Sequence, residues 1–351
     1  MWVKGEIIHN LNKAHGGVAD ALTRNGQPHL FDRLTWFKLL WIHNDIGARP
    51  LIARSWAQGA RCWLFLAEQK RGQATALANY YTLAFRPVFT GGEENGTRHA
   101  LLVALARRLR HGSLRLHHIS LAPVPVADGS ADLIARAFRT AGWHVYERMA
   151  TMNWTLNVNG RSFDDYWAER PGELRATLSR KSKKSDLGVE IHKQIIPELW
   201  AEYESIYAES WKPAEGSIEF LHAFAKNEAR YGALRLGIAR HEGAAVAAQL
   251  WTIEPGVGGP RAIIHKLAYR QSAAELSPGT ILTAAMFRHV IDEDKVALID
   301  YGTGDEAYKA DWMEERNPLM QIDCYNPRRL AGLAGSARLR LRALARRGGR
   351  D

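Results

Sequence analysis

The feature that most constrains the fold of this chain is an order of elements that occurs twice. Hydrophobic periodicity and turn signals give the second half the order β-α-α-β-β-β-α-β-α-β. The first half can be written the same way, although no sequence identity between the halves is visible. With 351 residues, the chain is long enough for two domains. The sequence therefore predicts an α/β protein with mixed sheets, built from two tandem units.

Domain boundaries follow from where the pattern restarts. We predict an N-terminal unit over 1–159, a second unit over 160–327 and a basic tail over 328–351. In the first unit the predicted helices are 33–43, 97–110 and 131–141, and the predicted strands are 51–55, 61–67, 74–83, 114–119 and 144–158. In the second unit the predicted helices are 163–184, 197–210, 306–314 and those opening at Ser217 and Ser277, and the predicted strands are 187–193, 233–240, 245–253, 261–269, 296–302 and 319–325.

Charge and cysteine content exclude several classes of protein. The formal charge is +10, but the segment from Arg328 to Asp351 holds eight Arg and one Asp, so most of the excess lies in a tail and nucleic acid is disfavoured as a partner. Cys62 and Cys324 lie far apart without a Cys/His cluster, which predicts no disulfide framework and no metal site. A charged N-terminus and the lack of an uncharged run of about 18 residues predict a cytoplasmic protein.

Sequence motifs of several enzyme classes are missing from the chain. There is no GxxxxGK[ST], no GxGxxG after a strand, no HExxH and no GxSxG. Their absence disfavours an NTPase, a dinucleotide enzyme, a zincin and a serine hydrolase.

Four segments carry a resemblance to a known family. They are RPGELRATLSRKSKK (170–184), YAESWK (207–212), LSPGTIL (276–282) and IDYGTGDEAYKADW (299–312). With the order of elements, they resemble the GNAT acyltransferase fold in a tandem, Fem-like arrangement, and more specifically the CelD/BcsL-type acetyltransferases. The resemblance covers about residues 30–330 and is strongest in Ser-Pro-Gly followed by Gly-Asp-x-x-Tyr-Lys-x-x-Trp.

The resemblance implies an activity and its partners. We expect an N-acyltransferase that moves an acetyl or longer acyl group to an amine, or a hydroxyl, of a small or cell-envelope-related acceptor. The donor would be acetyl-CoA or another acyl thioester, including an acylated carrier protein. A Fem-like variant would use aminoacyl-tRNA instead. A second hypothesis is a noncatalytic basic module that binds nucleic acid or anionic lipid, but such a module needs no glycine-framed Gly-Asp-x-x-Tyr-Lys segment.

The donor phosphates are expected at the helix that opens with Ser277, Pro278, Gly279 and Thr280. A helix N-terminus presents free N–H groups and a partial positive charge, which suits a pyrophosphate. In the fold that the chain resembles, this place is normally a longer glycine-rich loop with a basic or Gln residue, which is missing here. The alternative is that Ser277 and Pro278 merely begin a core helix. Tyr269, at the end of the preceding strand, is assigned to the same donor site.

The reacting groups are expected where two strands of the second unit end, since in this fold the acyl thioester lies between them. Acyl transfer needs a base for the amine proton and a donor for the leaving thiolate. The candidate catalytic residues are His265 or Asp305 as the base, Tyr301 or Tyr308 as the acid, and Lys309. The alternative is that Asp305 caps the next helix and Lys309 pairs with an acid on it. Strand alternation predicts His265 and Lys266 on opposite faces.

Acceptor-binding residues are predicted from aromatic side chains. The candidates are Tyr207, Trp211, Lys212 and Trp312, with the alternative that the aromatics are core residues. The basic run Arg175, Arg180, Lys181, Lys183 and Lys184 either binds phosphate or forms a solvated helix face. In the first unit, which we interpret as degenerate, Trp36, Trp41, Asn79 and Tyr80 would shape the acceptor pocket.

The tail has the pattern of a basic amphipathic helix. Its apolar stripe comprises Leu330, Leu333, Ala337, Leu341 and Leu344, and the arginines off the stripe are Arg338, Arg342, Arg346 and Arg347. This pattern predicts peripheral contact with an anionic membrane, at the inner face. The alternative is a frayed, solvated terminus.

Overall fold

The chain divides into two compact units, one of which is discontinuous in sequence. The computed structural model describes residues 2–15, 17–18, 20–43, 49–93 and 96–347, with side chains as far as 341. The first unit comprises Met1–Met152 and Asn317–Asp351, and the second comprises Asn153–Arg316. This division differs from the predicted 1–159, 160–327 and 328–351, because the last strand and the tail return to the first unit. Periodicity identifies a strand but does not show which sheet it joins.

The first unit is a mixed sheet with helices. Its elements are β1 (Lys4–Ile8), α1 (Leu34–His43), β2 (Arg49–Ala57), β3 (Ala60–Lys70), β4 (Gln73–Ala76), β5 (Val88–Thr90), α2 (Thr97–His111), β6 (His118–Pro125), α3 (Ser130–Thr140) and β7 (His144–Asn157), which ends in the second unit. The strand order is β1-β2-β3-β4-β6, followed by the last strand of the chain and then β7. β5 pairs with β3.

The core of the first unit lies beneath α2 and α3. α2 buries Leu101, Leu105 and Leu109 at a spacing of four residues, so one face of the helix is apolar. These leucines pack with Ile134 of α3 and with residues of β3, β6 and the last strand. Predicted elements of this half are right in kind, but the strand at 74–83 ends at Ala76 and the strand at 114–119 begins at His118. The sequence does not predict β1 and β5, because such short strands show too little hydrophobic periodicity.

The second unit contains the remaining helices and strands except the last pair. Its elements are α4 (Phe163–Ala168), α5 (Gly172–Lys184), β8 (Leu187–His192), α6 (Pro197–Ala208), α7 (Ile218–Arg230), β9 (Leu234–His241), β10 (Ala244–Glu254), β11 (Arg261–Tyr269), α8 (Pro278–Arg288) and β12 (Leu298–Thr303). The Oγ of Ser217 accepts the Phe220 N–H at 3.2 Å, as predicted for a cap. The predicted helix 163–184 is two helices, because Pro171 interrupts it.

The sheet of the second unit has the order β7-β12-β11-β10-β9-β8. All pairs are antiparallel except β11 with β12, which is parallel. The core contains Trp251 of β10 and Leu282, Met286 and Phe287 of α8. The predicted helix 306–314 is a single 3-10 turn, Ala307–Asp311. Both units are therefore mixed α/β, with the parallel strand pair β4 and β6 in the first and the parallel pair β11 and β12 in the second.

The last two elements are β13 (Glu315–Tyr325) and α9 (Leu330–Arg347). β13 pairs antiparallel with β6 from Leu319 opposite Pro125 to Tyr325 opposite His118. Ile322 and Cys324 of β13 join the core of the first unit. The first unit therefore needs residues from both ends of the chain.

α9 packs through small residues rather than through its leucines. A Cβ added at Gly332 would lie 2.2 Å from the Asn326 carbonyl oxygen, and one at Gly335 would lie 2.5 Å from the Tyr325 ring. Ser336 is buried, and its Oγ lies 2.6 Å from the Tyr146 Oη and 2.9 Å from the His144 Nδ1. The alternative of a frayed terminus is therefore wrong for 330–341.

The leucine stripe of α9 points outward. Leu330, Leu333 and Leu341 are 87%, 43% and 67% exposed. The side chains of Leu344, Arg342, Arg346 and Arg347 lie outside the described residues. The observed helix thus has an apolar stripe that no described residue covers.

Gly237 offers a test of packing between β9 and α8. A Cβ at this residue would lie 2.6 Å from the Met286 Sδ and 3.1 Å from the Leu282 Cδ1, both in the core. We expect Gly237→Ala to lower the free energy of unfolding by about 1–3 kcal/mol, the usual cost of overpacking. Urea denaturation would measure this as a lower midpoint with an unchanged slope.

The matched control is Gly188→Ala in β8, where an added Cβ meets nothing within 4 Å. We expect this substitution to leave the unfolding midpoint unchanged or slightly higher, since a strand glycine costs backbone entropy. Equal midpoints for the two variants would contradict the packing argument.

Candidate active site

The site is an opening between the two parallel strands of the second unit. β11 and β12 pair only at Arg261–Leu298, Ala262–Ile299 and Ile263–Asp300. Beyond these positions β11 continues to Tyr269 and β12 to Thr303 without pairing to each other. The pairing of the two strands thus ends before their carboxyl ends, which leaves an opening in the sheet.

Asp300 fixes the place where the strands separate. Its buried carboxylate pairs with Arg261 and accepts the Gly302 N–H at 2.8 Å. Gly302 has φ +73°, a left-handed conformation that only glycine adopts without strain. The same turn shifts the register of β12 against β7 between Asp300 and Thr303. The pairing of β12 with β11 therefore ends here for a local reason.

A β-bulge interrupts the predicted alternation of β11. Leu250 pairs with Lys266 and Trp251 with Ile264, so His265 is an extra residue in β11. The His265 Nε2 lies 2.8 Å from the Thr252 Oγ1, and its ring packs edge-on against Phe224. Burial lowers the pKa of His265 to about 3, so its ring is neutral at physiological pH.

Lys266 forms a buried ion pair that sequence reasoning missed. Its Nζ lies 2.8 Å from the Glu215 Oε2, and the two side chains are 5% and 6% exposed. The Nζ also lies 5.9 Å from the centre of the Tyr207 ring. A lysine inside the apolar strand sequence AIIHKLAY was the signal available, but nothing in the sequence indicated Glu215 as its partner.

Lys309 is a second buried lysine. Its Nζ donates to the Thr303 carbonyl oxygen at 2.7 Å and pairs with Glu306 at 2.9 Å. It also lies 5.7 Å from the centre of the Tyr301 ring. Burial raises the pKa of Glu306, but the hydrogen bond from Lys309 and the charges of Lys309 and Lys212 more than offset it, so the pKa is lowered. Lys309 thus does pair with a neighbouring acid, as the alternative had it.

Lys212 has the most perturbed ammonium group of this cluster. Burial, and then the charge of Lys266, lowers the pKa of Lys212 to about 8, against an opposing effect of Glu215. Its Nζ lies 5.7 Å from the Trp211 ring, which in turn packs on Tyr269 with ring centres 4.4 Å apart. A substantial fraction of Lys212 is therefore a neutral amine near pH 8.

Tyr301 and Tyr308 meet edge to face, with ring centres 5.8 Å apart. Tyr301 is buried, and burial raises its pKa well above the usual value, with a partly opposing hydrogen bond to Thr283. Tyr308 is 45% exposed, and burial together with Glu306 raises its pKa to about 12. Both rings stay protonated at neutral pH, and Tyr308 is the more accessible donor.

Two predicted site residues have their own partners in the structure. Asp305 is exposed and forms a two-point ion pair with Arg316, whose hydrogen bond lowers the pKa of the carboxyl. It does not cap the helix, since the residue before Ala307–Asp311 is Glu306 and no side chain caps there. Trp312 is buried against Phe287 and Trp167, so it is a core residue.

The residues of the predicted phosphate turn form the start of α8. Ser277 has φ +53° and its side chain makes no cap, so the N–H groups of Gly279 and Thr280 have no capping acceptor. Gly279 leaves room for the Tyr269 ring, which a Cβ would approach to 3.0 Å. The Lys181 Nζ donates to the Glu275 carbonyl oxygen, so α5 supplies a cation next to this turn.

The remaining candidate residues lie on α5 or in the first unit. α5 has no buried residue, so Arg180, Lys183 and Lys184 belong to a solvated face. The Arg175 Nε donates to the Arg170 carbonyl oxygen at 3.0 Å. In the first unit, Trp36 is a core residue against Phe31, while Tyr80 is exposed and packs edge-on against Tyr81. Trp41 and Asn79 are half-buried.

Comparisons with known proteins agree with this geometry at the level of fold. Residues 172–310 match the family model of the acetyltransferase (GNAT) domain. A structure titled FemX superposes with TM-score 0.60 at 12% identity, over 91% of this chain and 96% of that one. A second structure is the C-terminal domain of a presumed lysylphosphatidylglycerol synthetase from Agrobacterium fabrum. It superposes with TM-score 0.57 at 13% identity, over 93% of this chain and 95% of that one. No curated protein matches the sequence at a significant level.

These findings assign the fold class. Within the second unit, residues 172–310 match a GNAT-type acetyltransferase domain, and the chain as a whole has a mixed α/β fold similar to that of the FemX structure. Of the helices that the structure describes, none combines the length and apolarity needed to cross a membrane. Among the same residues, no three His, Cys, Asp or Glu side chains are arranged to hold a metal ion.

Proposed function

We propose that the second unit is an N-acyltransferase of the CelD/BcsL type that moves an acyl group from acetyl-CoA, or another acyl thioester, to an amine. The observation that carries the proposal is the separation of β11 and β12 beside a cluster of lysines and tyrosines, of which Lys266, Lys309 and Tyr301 are buried. A thioester in this opening has polar groups within reach on both sides. A hydroxyl acceptor would use the same groups.

The donor phosphates bind at the start of α8. The free N–H groups of Gly279 and Thr280 and the positive end of the helix attract a pyrophosphate. Lys181 supplies the basic group that the short Ser-Pro-Gly turn lacks. The exposed part of Trp211, with Tyr269 beneath it, forms an apolar wall next to this turn.

Lys212 is the base. Its pKa of about 8 makes the neutral amine available at working pH, whereas His265 titrates near 3 and the Asp305 carboxylate is held by Arg316. The acceptor nitrogen attacks the thioester carbonyl, its proton passes to the Lys212 Nζ, and the C–S bond breaks. Tyr308 donates a hydrogen bond to the departing thiolate, which leaves as the free anion. Tyr301 is buried and orients Tyr308.

The acceptor is a small or envelope-related molecule. The names of two structural neighbours, FemX and the presumed lysylphosphatidylglycerol synthetase, suggest an envelope context and an aminoacyl donor as the second candidate function. The aminoacyl variant differs in its donor, because it takes its acyl group from an ester of tRNA. An acylated carrier protein is a third candidate donor, because it also holds its acyl group as a thioester.

The outward leucines of α9 provide peripheral contact with an anionic membrane. Leu330, Leu333 and Leu341 are exposed on one stripe, and Arg338 is exposed beside it. Apolar insertion and attraction of arginines to anionic lipid act together in such helices. This contact would hold the protein at the cytoplasmic surface of the membrane.

The donor site is tested by coenzyme A binding. We expect Lys181→Ala to weaken coenzyme A binding about 10-fold in isothermal titration, because it removes one charge-assisted contact with phosphate. Lys183→Ala, an exposed lysine of the same helix, should change the affinity less than 2-fold. Equal losses in both variants would indicate a diffuse charge effect. No binding of coenzyme A to the parent, with binding of aminoacyl-tRNA, would favour the Fem-like candidate.

The base is tested by turnover and its pH dependence. With a hydrazide acceptor, whose own nitrogen titrates at acidic pH, kcat/KM should rise as pH passes about 8, since the active form of Lys212 is deprotonated. Lys212→Met should lower kcat about 100-fold with an unchanged melting temperature. Lys226→Met, an exposed lysine of α7, is the control. Turnover of Lys212→Met within 3-fold of the parent would refute this role.

Membrane contact is tested on the exposed leucines rather than by truncation, since α9 packs on the first unit. Leu330→Gln with Leu333→Gln should weaken binding to phosphatidylglycerol vesicles by about 100-fold or more in a sedimentation assay, because each buried leucine contributes about 1.5–3 kcal/mol. Ala331→Gln with Ala334→Gln, exposed on the same helix, should sediment as the parent does. Equal sedimentation of both double variants would leave the stripe without a membrane role.

A further inference from the structure

The first unit has a cavity of about 570 Å³ at the C-terminal end of α2. Its polar lining consists of His9, Arg107, Arg108, His111 and Ser113, and the other lining residues are apolar or glycine. No acidic side chain lines it. The nearest acid of β1 in sequence, Glu6, is already paired with Arg54. The cavity is therefore lined by positive or neutral groups.

Two acid-free segments of the sequence meet beside this cavity. Residues 95–127 include five Arg and four His without one Asp or Glu, and residues 324–350 include eight Arg without an acid. The Asn326 Nδ2 joins them by donating to the Arg110 carbonyl oxygen at 2.9 Å and to the Leu116 carbonyl oxygen at 2.8 Å. The positive charge around the cavity thus comes from two parts of the chain.

The cations at this end of α2 repel one another. Arg107 and Arg108 are exposed and form no ion pair with any residue that the structure describes. Burial, and then the charge of Arg328, lowers the pKa of both Arg110 and His111. A helix C-terminus carries only about half a negative charge, which is too little to balance this group. The cluster is therefore short of an anion.

We propose that this cavity binds a phosphate group, carried either by an anionic lipid or by a free phosphate compound. Arg107 and His111 are four residues apart on α2 and so share a face, with Arg108 beside them. Guanidinium groups bind phosphate through paired N–H donors, and Ser113 adds a hydroxyl. The volume exceeds that of one phosphate group, so a headgroup attached to it fits as well. The site lies wholly in the first unit and is independent of the proposed acyl transfer.

The test measures binding of two soluble probes, inorganic pyrophosphate and dihexanoyl phosphatidylglycerol below its micelle concentration. Arg107→Ala with Arg108→Ala should weaken binding of the preferred probe about 100-fold, because two charge-assisted contacts are lost. The control is Arg136→Ala with Arg139→Ala on α3, whose arginines already pair with Asp132 and Glu147. This control should bind within 2-fold of the parent.

The outcomes distinguish the two sources of the phosphate group, and they also decide whether the proposal holds. Tighter binding of the lipid identifies a headgroup site, and tighter binding of pyrophosphate identifies a site for a soluble compound. The His111 pKa, followed by NMR, should rise when either probe binds. Absence of binding to the parent at millimolar probe, or unchanged binding in Arg107→Ala with Arg108→Ala, would overturn the proposal. If the double variant does not fold, the single variants Arg107→Gln and Arg108→Gln replace it in the same binding measurement.

Discussion

The stop in pairing between β11 and β12 is the constraint on which the candidate site depends. After Ile263 and Asp300 the two parallel strands share no further hydrogen bonds, so a ligand can lie between them. The stop has a local cause, because the Asp300 carboxylate binds the Gly302 N–H and Arg261. Gly302 then turns the chain in a conformation that other residues adopt only with strain.

The groups that line this opening are costly to bury, which limits how they can be arranged. Lys266 with Glu215 and Lys309 with Glu306 are paired, and a buried charge is tolerated when its partner is close and well oriented. Lys212 is different, since burial, and then the charges of Lys266 and Lys309, lower its pKa and favour its neutral form. The cluster therefore holds one amine without a carboxylate of its own, and burial lets this amine lose its proton near pH 8.

The sequence predicted most of the second unit and part of its site. The bounds of β11 and the cap at Ser217 follow from alternation and from a short polar side chain, which are local signals. The bulge at His265 could not be predicted, because it depends on how β11 pairs with β10. The partners of the buried lysines are set by tertiary packing, as is the core position of Trp312. The return of β13 to the first unit also depends on tertiary packing, so the sequence did not predict it.

That return has a consequence for how the chain folds as it is made. The core of the first unit contains Ile322 and Cys324, so its final strand leaves the ribosome only after residues 153–316 have emerged. Domains usually fold as units in the order of their synthesis. Here the second unit can complete its own fold while the first still waits for its closing strand. The nascent first unit must therefore keep the edge of β6 open, and away from other chains, until translation reaches Tyr325.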